Sequence, residues 1–509
     1  VEIFCARRST AAAAPAPQNR LTFVTQQVGV FSEHCGHNAV LMIAQPTTAG
    51  LQQAQVSFLQ QYPDFHSTQL LDDMRATEYN RLDAQGHLYL DYTGGNLYAA
   101  SQVQRHLELL QQSVFGNPHS TNPTSQLAGK LIDETRQYII DYFQAHDYHL
   151  VFTANASQAL KIIGEGYPFH DNGHFLLLFD NHNSVNGIRE YCKMKGASHT
   201  YSPVDIEDLR VNESQLQQYL EAHPDKTNKL FAFPAQSNVS GVQHSLEWIE
   251  KAHALGWDVL LDAAAFVPSN RLNLSVVKPE FVSMSFYKIF GYPTGLGALF
   301  VHKKVFDKLH KQWFAGGTVK FVSVSSDNFF LAENYERFED GTLNYLGIPA
   351  LKIGFEHIHH IGIDTIHNRV SMLTGWLLQQ LQSLRHSNGE ALVHVFGPKD
   401  TSARGGTIIF NVFDSAGVAL PYLHVEADAN RENISLRTGC FCNPGIDEIN
   451  NCISTDELSA YFTSRSGGDF QDMITALGRM RGAIRISLGL ASNFADVYRF
   501  VQFLKQYLK

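Results

Sequence analysis

The chain has 509 residues, 49 of them acidic and 39 basic, which gives a formal net charge of −10. No lysine- or arginine-rich block interrupts that balance, so nucleic acid and anionic membranes are not expected as partners. Hydrophobic residues make up 44% and charged residues 17%, as in soluble proteins with two cored domains, and no apolar run reaches the roughly 18 residues of a spanning helix.

The chain starts at Val1, and RRSTAAAAPAPQNR (7–20) reads as a flexible lead-in without the apolar stretch of a secretory signal. Residues 21–75 carry no interpretable motif, so 1–75 is expected to be an extension that is partly flexible. From about residue 80, short apolar runs suited to buried strands follow one another. They are HLYLDY (87–92), HLVFTA (149–154), FLLLFDN (175–181), LFAFPA (230–235), DVLLDAA (258–264), FVSMSF (281–286) and GALFVH (297–302). Segments with helical periodicity separate them, such as 124–144 and 245–256. This alternation predicts a mostly parallel α/β sheet covered on both faces, in a large domain over 76–360. A smaller α+β domain over 361–509 is predicted from the strands GTIIFNVF (406–413), NISLRTG (433–439) and GAIRISLG (482–489), closed by the helix NFADVYRFVQFLKQYLK (493–509).

Ligands of parallel sheets lie at the carboxyl ends of the strands, so the residues after each run are the candidates for chemistry. Asp262 follows the strand DVLL (258–261), and Lys288 follows FVSMSF (281–286). An amine for a Schiff base and a carboxylate for a pyridine nitrogen are the parts that hold pyridoxal phosphate, although an acid and a lysine at strand ends are also ordinary surface residues. FTANAS (152–157) leads from a strand through small residues into a helix, whose amides and Ser157 hydroxyl suit a phosphate. His182 follows the run FLLLFDN at a strand end, where its ring would lie over a cofactor; in a chain with 24 histidines a structural role is the alternative.

Six cysteines are too few for a disulfide scaffold and point to a reducing, cytoplasmic setting. Cys440, Cys442 and Cys452 lack the paired spacing of a zinc site, so no metal is expected. Locally, Cys440 and Cys442 read equally as small buried hydrophobes and as reactive thiols.

Five motifs carry a family resemblance: GNPHSTNPTS (116–125), FPAQSNVSGV (233–242), SFYKIFGYPTGLGALFVHK (285–303), RFEDGTLNYLGI (337–348) and LRTGCFCNPG (436–445). Over about residues 85–507 the chain resembles class V pyridoxal-phosphate enzymes, most closely the cysteine desulfurase part of molybdenum cofactor sulfurases. The resemblance implies a fold type I pyridoxal-phosphate transferase acting as a homodimer with shared active sites. It implies Lys288 as the Schiff-base lysine, Asp262 as the partner of the ring nitrogen and His182 as the stacking ring. Ala156, Ser157, Ser285 and Tyr287 fall at the phosphate, with Thr342 where a partner subunit contributes. Asn238 falls at the cofactor or substrate. Arg485 falls at the substrate carboxylate, a task suited to a planar guanidinium, with Arg437 as a second candidate. The pattern R-T-G-x-x-C ends at Cys442, which is thereby implied, ahead of Cys440, as the persulfide-forming nucleophile.

The activity implied is conversion of L-cysteine, or a similar small amino acid, to L-alanine, with the sulfur passed from Cys442 to an acceptor protein. Two alternatives are another class V reaction (transamination, lyase or epimerase chemistry) and a non-catalytic cofactor-binding scaffold for a sulfur acceptor. Two departures from the sulfurases bear on the acceptor. No cofactor-binding domain follows in this sequence, so a separate acceptor is expected, and NPGIDEINNC lacks the small residue and cysteine that often follow N-P-G in eukaryotic members.

Overall fold

The computed structural model describes residues 48–478 and 481–509; the lead-in read at 7–20 lies outside them. A two-residue strand, β1 (Leu88–Tyr89), comes first. It is followed by β2 (Tyr148–Thr153), β3 (Gly173–Leu178), β4 (Ser198–Ser202), β5 (Asn228–Pro234), β6 (Asp258–Asp262), β7 (Phe281–Ser285) and β8 (Gly297–His302). These last seven form one sheet in the order β2-β8-β7-β6-β5-β3-β4. The pairs from β4 through β7 are parallel, and β8 runs antiparallel to both its neighbours. Every residue of β3 and β7 is buried. That is why these strands read as mostly apolar runs, with the two serines of β7 buried like their neighbours: both faces of a parallel sheet are covered by helices. Full burial of one such leucine, Leu176 for example, contributes about 1.5–3 kcal/mol.

An exposed hairpin follows, formed by β9 (Val319–Ser323) and β10 (Asn328–Leu331). Then come β11 (Val393–Phe396), β12 (Thr407–Val412), β13 (Ile434–Ser435), β14 (Arg437–Gly439) and β15 (Ala483–Ser487). A four-stranded antiparallel sheet has the order β11-β12-β15-β14. The chain closes with the helix Phe494–Lys505.

Most predicted runs become strands of the large sheet, and GALFVH coincides with β8. HLYLDY does not join that sheet. Only β1 forms there, and it pairs in parallel with β13. The edge strand β4, with sequence SHTYS, has no apolar run to reveal it, because most of its residues stay partly exposed.

Residues 48–75 have no readable motif, yet they pack against the end of the chain. The Phe58 ring lies 4.6 Å from that of Phe494. Arg75 pairs with Asp496 at 2.6 Å and Arg369 with Asp72 at 2.7 Å. Arg75 and Asp496 are both buried, and removing one partner of that pair costs about 3–5 kcal/mol. Among the described residues no helix is long and apolar enough to cross a membrane.

Candidate active site

The carboxyl ends of β2, β3, β5, β6 and β7 surround a cavity of about 320 Å³. Ala156, Ser157, His182, Asn238, Asp262, Ser285, Tyr287 and Lys288 all line it. At one end is the start of the helix Ala156–Gly166, where the Asn155 side chain accepts from the Gln158 N–H at 3.0 Å. The Ala156 N–H donates to the Ser285 hydroxyl at 2.9 Å, and the Ser157 and Ser184 hydroxyls lie 2.6 Å apart. A helix N-terminus edged by three hydroxyls is a site for a dianionic phosphate.

Asp262 ends β6 and is buried, its Oδ1 held by the Ala264 N–H at 3.1 Å and the Ser283 hydroxyl at 3.3 Å. Lys288 lies on the one-turn helix Tyr287–Phe290 after β7. Its amine has no hydrogen bond or ion pair among the described residues, and burial pushes it below the ordinary lysine range. Asp262 opposes that shift, while Arg485 and Arg437 reinforce it. A lysine held toward its neutral form is a nucleophile for a carbonyl. Burial also holds His182 below its usual range, with Asp262 opposing and Lys288 and Arg485 adding to the effect. His182 Nδ1 accepts from the Ser184 N–H at 3.1 Å, which puts the proton of the neutral ring on Nε2.

The cysteines arrive from the other sheet. After β14 the chain turns tightly: Phe441 and Cys442 both have φ of 56°, and the Asn443 N–H donates to the Cys440 carbonyl at 3.0 Å. Two consecutive non-glycine residues in the left-handed region are strained, and such strain persists only where the surroundings fix it. Here they do. The Asn183 N–H donates to the Cys442 carbonyl at 2.7 Å, and the Asn238 side chain donates to the Phe441 carbonyl at 2.8 Å. Asn443 donates to buried Asp180 at 2.7 Å, and Asp180 also accepts from Ser237 and faces His244. Cys442 is exposed, whereas Cys440 is half-buried and burial pushes its thiol up. Access therefore favours Cys442. Among the described residues no group of three His, Cys, Asp or Glu side chains is placed to hold a metal.

Arg485 is buried; it donates to the Asn238 carbonyl at 2.9 Å and to Asp91 at 2.7 Å. Arg437 is exposed and also donates to Asp91, at 2.6 Å. Thr342 is exposed, accepts from the Asn117 side chain at 3.2 Å and does not line the cavity. Eight of the expected residues thus line the cavity; Cys442, Arg485 and Arg437 lie outside its lining and are tied to it through Asn183, Asn238 and Asp91, while Thr342 is not. The structure adds Asp91, Asp180, Ser184 and Asn443, which sequence reasoning missed. Asp91 follows the apolar stretch LYL (88–90) as Asp262 follows VLL (259–261), so a signal existed. It was masked because that run looked like one more strand of the large sheet.

A mostly parallel seven-stranded sheet with a lysine, a buried aspartate and a phosphate-type helix start at its carboxyl edge defines the α/β fold type I of the pyridoxal-phosphate transferases. The chain belongs to the class-V aminotransferase family, whose model matches residues 88–500. It is 35% identical over 487 residues to a molybdenum cofactor sulfurase of Solanum lycopersicum, covering 88% of this chain and 59% of that protein. To the molybdenum cofactor sulfurase of Homo sapiens it is 36% identical over 459 residues, covering 85% of this chain and 51% of that protein. The chain therefore spans between half and three-fifths of these relatives. The apo structure of a cysteine desulfurase from Thermococcus onnurineus NA1 shares the fold with a TM-score of 0.70 at 23% identity, covering 86% of this chain and 97% of that one.

Proposed function

We propose that this chain is a pyridoxal-phosphate-dependent cysteine desulfurase that converts L-cysteine to L-alanine and holds the sulfur as a persulfide on Cys442. The observation that carries this reading is the attachment of the cysteine loop to the cavity wall: the Cys442 carbonyl is held by the N–H of Asn183, the residue after His182. That contact ties an exposed thiol on a strained turn to the mouth of a cavity that already has the residues for the cofactor.

Those residues fit the group. Lys288 would supply the amine for covalent attachment, Asp262 the carboxylate for a ring nitrogen and His182 an aromatic ring for stacking. Ala156, Ser157, Ser285 and Tyr287 serve the phosphate end. When bound, the cofactor supplies an electron sink for the substrate α-carbon. Lys288 takes and returns the α proton, a role its lowered pKa favours. Arg485, with Asn238 beside it, holds the α-carboxylate, and Arg437 adds charge at the rim. The Cys442 thiolate attacks the substrate sulfur: an S–S bond forms, the carbon–sulfur bond breaks with its electron pair on carbon, and protonation gives alanine.

Residues 76–360 form the cofactor-binding unit in this reading, and 361–509 the unit that brings the sulfur-bearing loop. The persulfide on exposed Cys442 passes to a sulfur-acceptor protein, a reading supported by relatives named for sulfuration of the molybdenum cofactor. The enzyme works as a homodimer with shared sites. In support, Thr342 is exposed and does not line its own cavity, and the β9–β10 hairpin exposes Phe321, Val324 and Phe330 by 63%, 97% and 69%, apolar surface that a second copy would cover. The unbridged thiols of Cys192, Cys440 and Cys442 support a reducing, cytoplasmic setting.

Single-turnover incubation of the cofactor-loaded protein with L-cysteine, followed by mass spectrometry, tests the reading. Alanine together with one added sulfur atom on the Cys442 peptide is the expected result. Cofactor bound through Lys288 with neither product formed overturns it and moves the search to another small amino acid.

A further inference from the structure

Arg437 and Arg485 are directly opposite one another across β14 and β15. Like charges at facing positions of antiparallel strands repel. Asp91 resolves the conflict. Its Oδ1 accepts from Arg485 Nη2 at 2.7 Å, its Oδ2 from Arg437 Nη2 at 2.6 Å, and Arg437 Nε lies 3.1 Å from Oδ2. The carboxylate is delivered by a strand that has left the large sheet: β1 runs beside β13, and Asp91 itself bridges to Ser487 at the end of β15. The Ser487 N–H donates to the Leu90 carbonyl at 2.7 Å, and the Thr93 N–H donates to the Ser487 hydroxyl at 2.8 Å, so Asp91 is fixed on both sides. Gly94 leaves the space this requires, because a Cβ there would overlap the Asp91 carboxylate and the Arg437 guanidinium.

Two guanidiniums and one carboxylate leave a single positive charge, which matches one substrate carboxylate. The group that must reach Cys442 enters the field of the same two arginines, each of which interacts electrostatically with Cys442. Without Asp91 this corner would carry two uncompensated positive charges, at side-chain exposures of 4% for Arg485 and 50% for Arg437, and would attract a second acidic group. We infer that Asp91 is a specificity-determining, positioning residue. By cancelling one of the two positive charges it restricts the site to amino acids with one carboxylate and an uncharged side chain, and it excludes those whose side chain ends in a carboxylate or sulfinate. The inference rests on the desulfurase reading for the orientation of the substrate, but not for its test.

That test is calorimetric binding of L-alanine and L-aspartate to the cofactor-loaded protein, its Asp91→Asn variant and its Asp91→Glu variant. The wild-type protein is expected to prefer L-alanine. Asp91→Asn, which keeps the shape but removes the charge, is expected to shift the aspartate-to-alanine affinity ratio toward aspartate by about tenfold or more. Asp91→Glu is expected to restore the wild-type preference. A purely structural Asp91 would weaken both ligands in parallel and leave the ratio unchanged, which would overturn the inference. Equal wild-type affinity for the two ligands would overturn it directly, and binding of neither would overturn it together with the small-amino-acid class. A normal ratio with no persulfide on Cys442 would remove the desulfurase reading alone.

Discussion

At the cavity wall, Asp262 ends a strand, and Ser157, His182 and Lys288 each follow a strand, of one sheet. The cluster around Cys442 draws Asp91, Asn238, Arg437 and Arg485 from distant parts of the chain, and only Asn238 follows a strand of that sheet. The wall is positioned by strand geometry, because each of these residues lies at the carboxyl end of a strand or a few residues beyond it. The cluster is positioned by specific hydrogen bonds between loops, so each of its members depends on the others. In this chain cofactor binding is therefore expected to be separable from sulfur chemistry, and four substitutions probe that separation.

Lys288→Ala is expected to have the largest effect. It removes the attachment amine and the proton carrier together, lowering alanine formation by about a thousandfold or more, with the bound-cofactor visible spectrum lost and the fold retained by circular dichroism. Cys442→Ser comes next. The persulfide peptide disappears and cysteine turnover falls to background, while cofactor affinity and spectrum stay at wild-type values; loss of both would erase the distinction between wall and cluster.

Asn443→Ala strikes the anchor of the cysteine turn. It removes hydrogen bonds to buried Asp180 and to Asn238 as well as the cap on Ile446. Leaving Asp180 short of a donor costs about 1–3 kcal/mol. The expected result is a melting temperature lower by a few degrees and slower persulfide formation in single-turnover assays, with unchanged cofactor affinity.

The smallest effect belongs to His182 and appears in stability against pH. Burial holds its folded pKa below the ordinary 6.5. As pH falls through 6.5, the unfolded chain takes a proton before the native chain does, so the contribution of His182 to stability is fully present above that value and is lost below it. His182→Phe in the apoprotein is expected to flatten the stability difference over that window, measured by urea unfolding at a series of pH values. An identical slope in both proteins would assign the pH dependence to other groups.

The sequence by itself determined the large sheet and its chemistry. The runs that became β2, β3, β5, β6, β7 and β8 are mostly apolar and almost wholly buried because both faces are covered, and a polar residue at or just after the end of such a run lies at the ligand edge by geometry alone. Lys288, Asp262 and His182 were legible for that reason, and Arg437, Arg485 and Cys442 through the resemblance their motifs carry. Tertiary structure alone decided where β1 went, that Asp91 meets two arginines 346 and 394 residues away, and that residues 48–75 pack on the closing helix. These contacts leave no periodicity in the sequence. They are single ion pairs and loop hydrogen bonds between distant segments, and their partners are specified only once the two sheets have packed together.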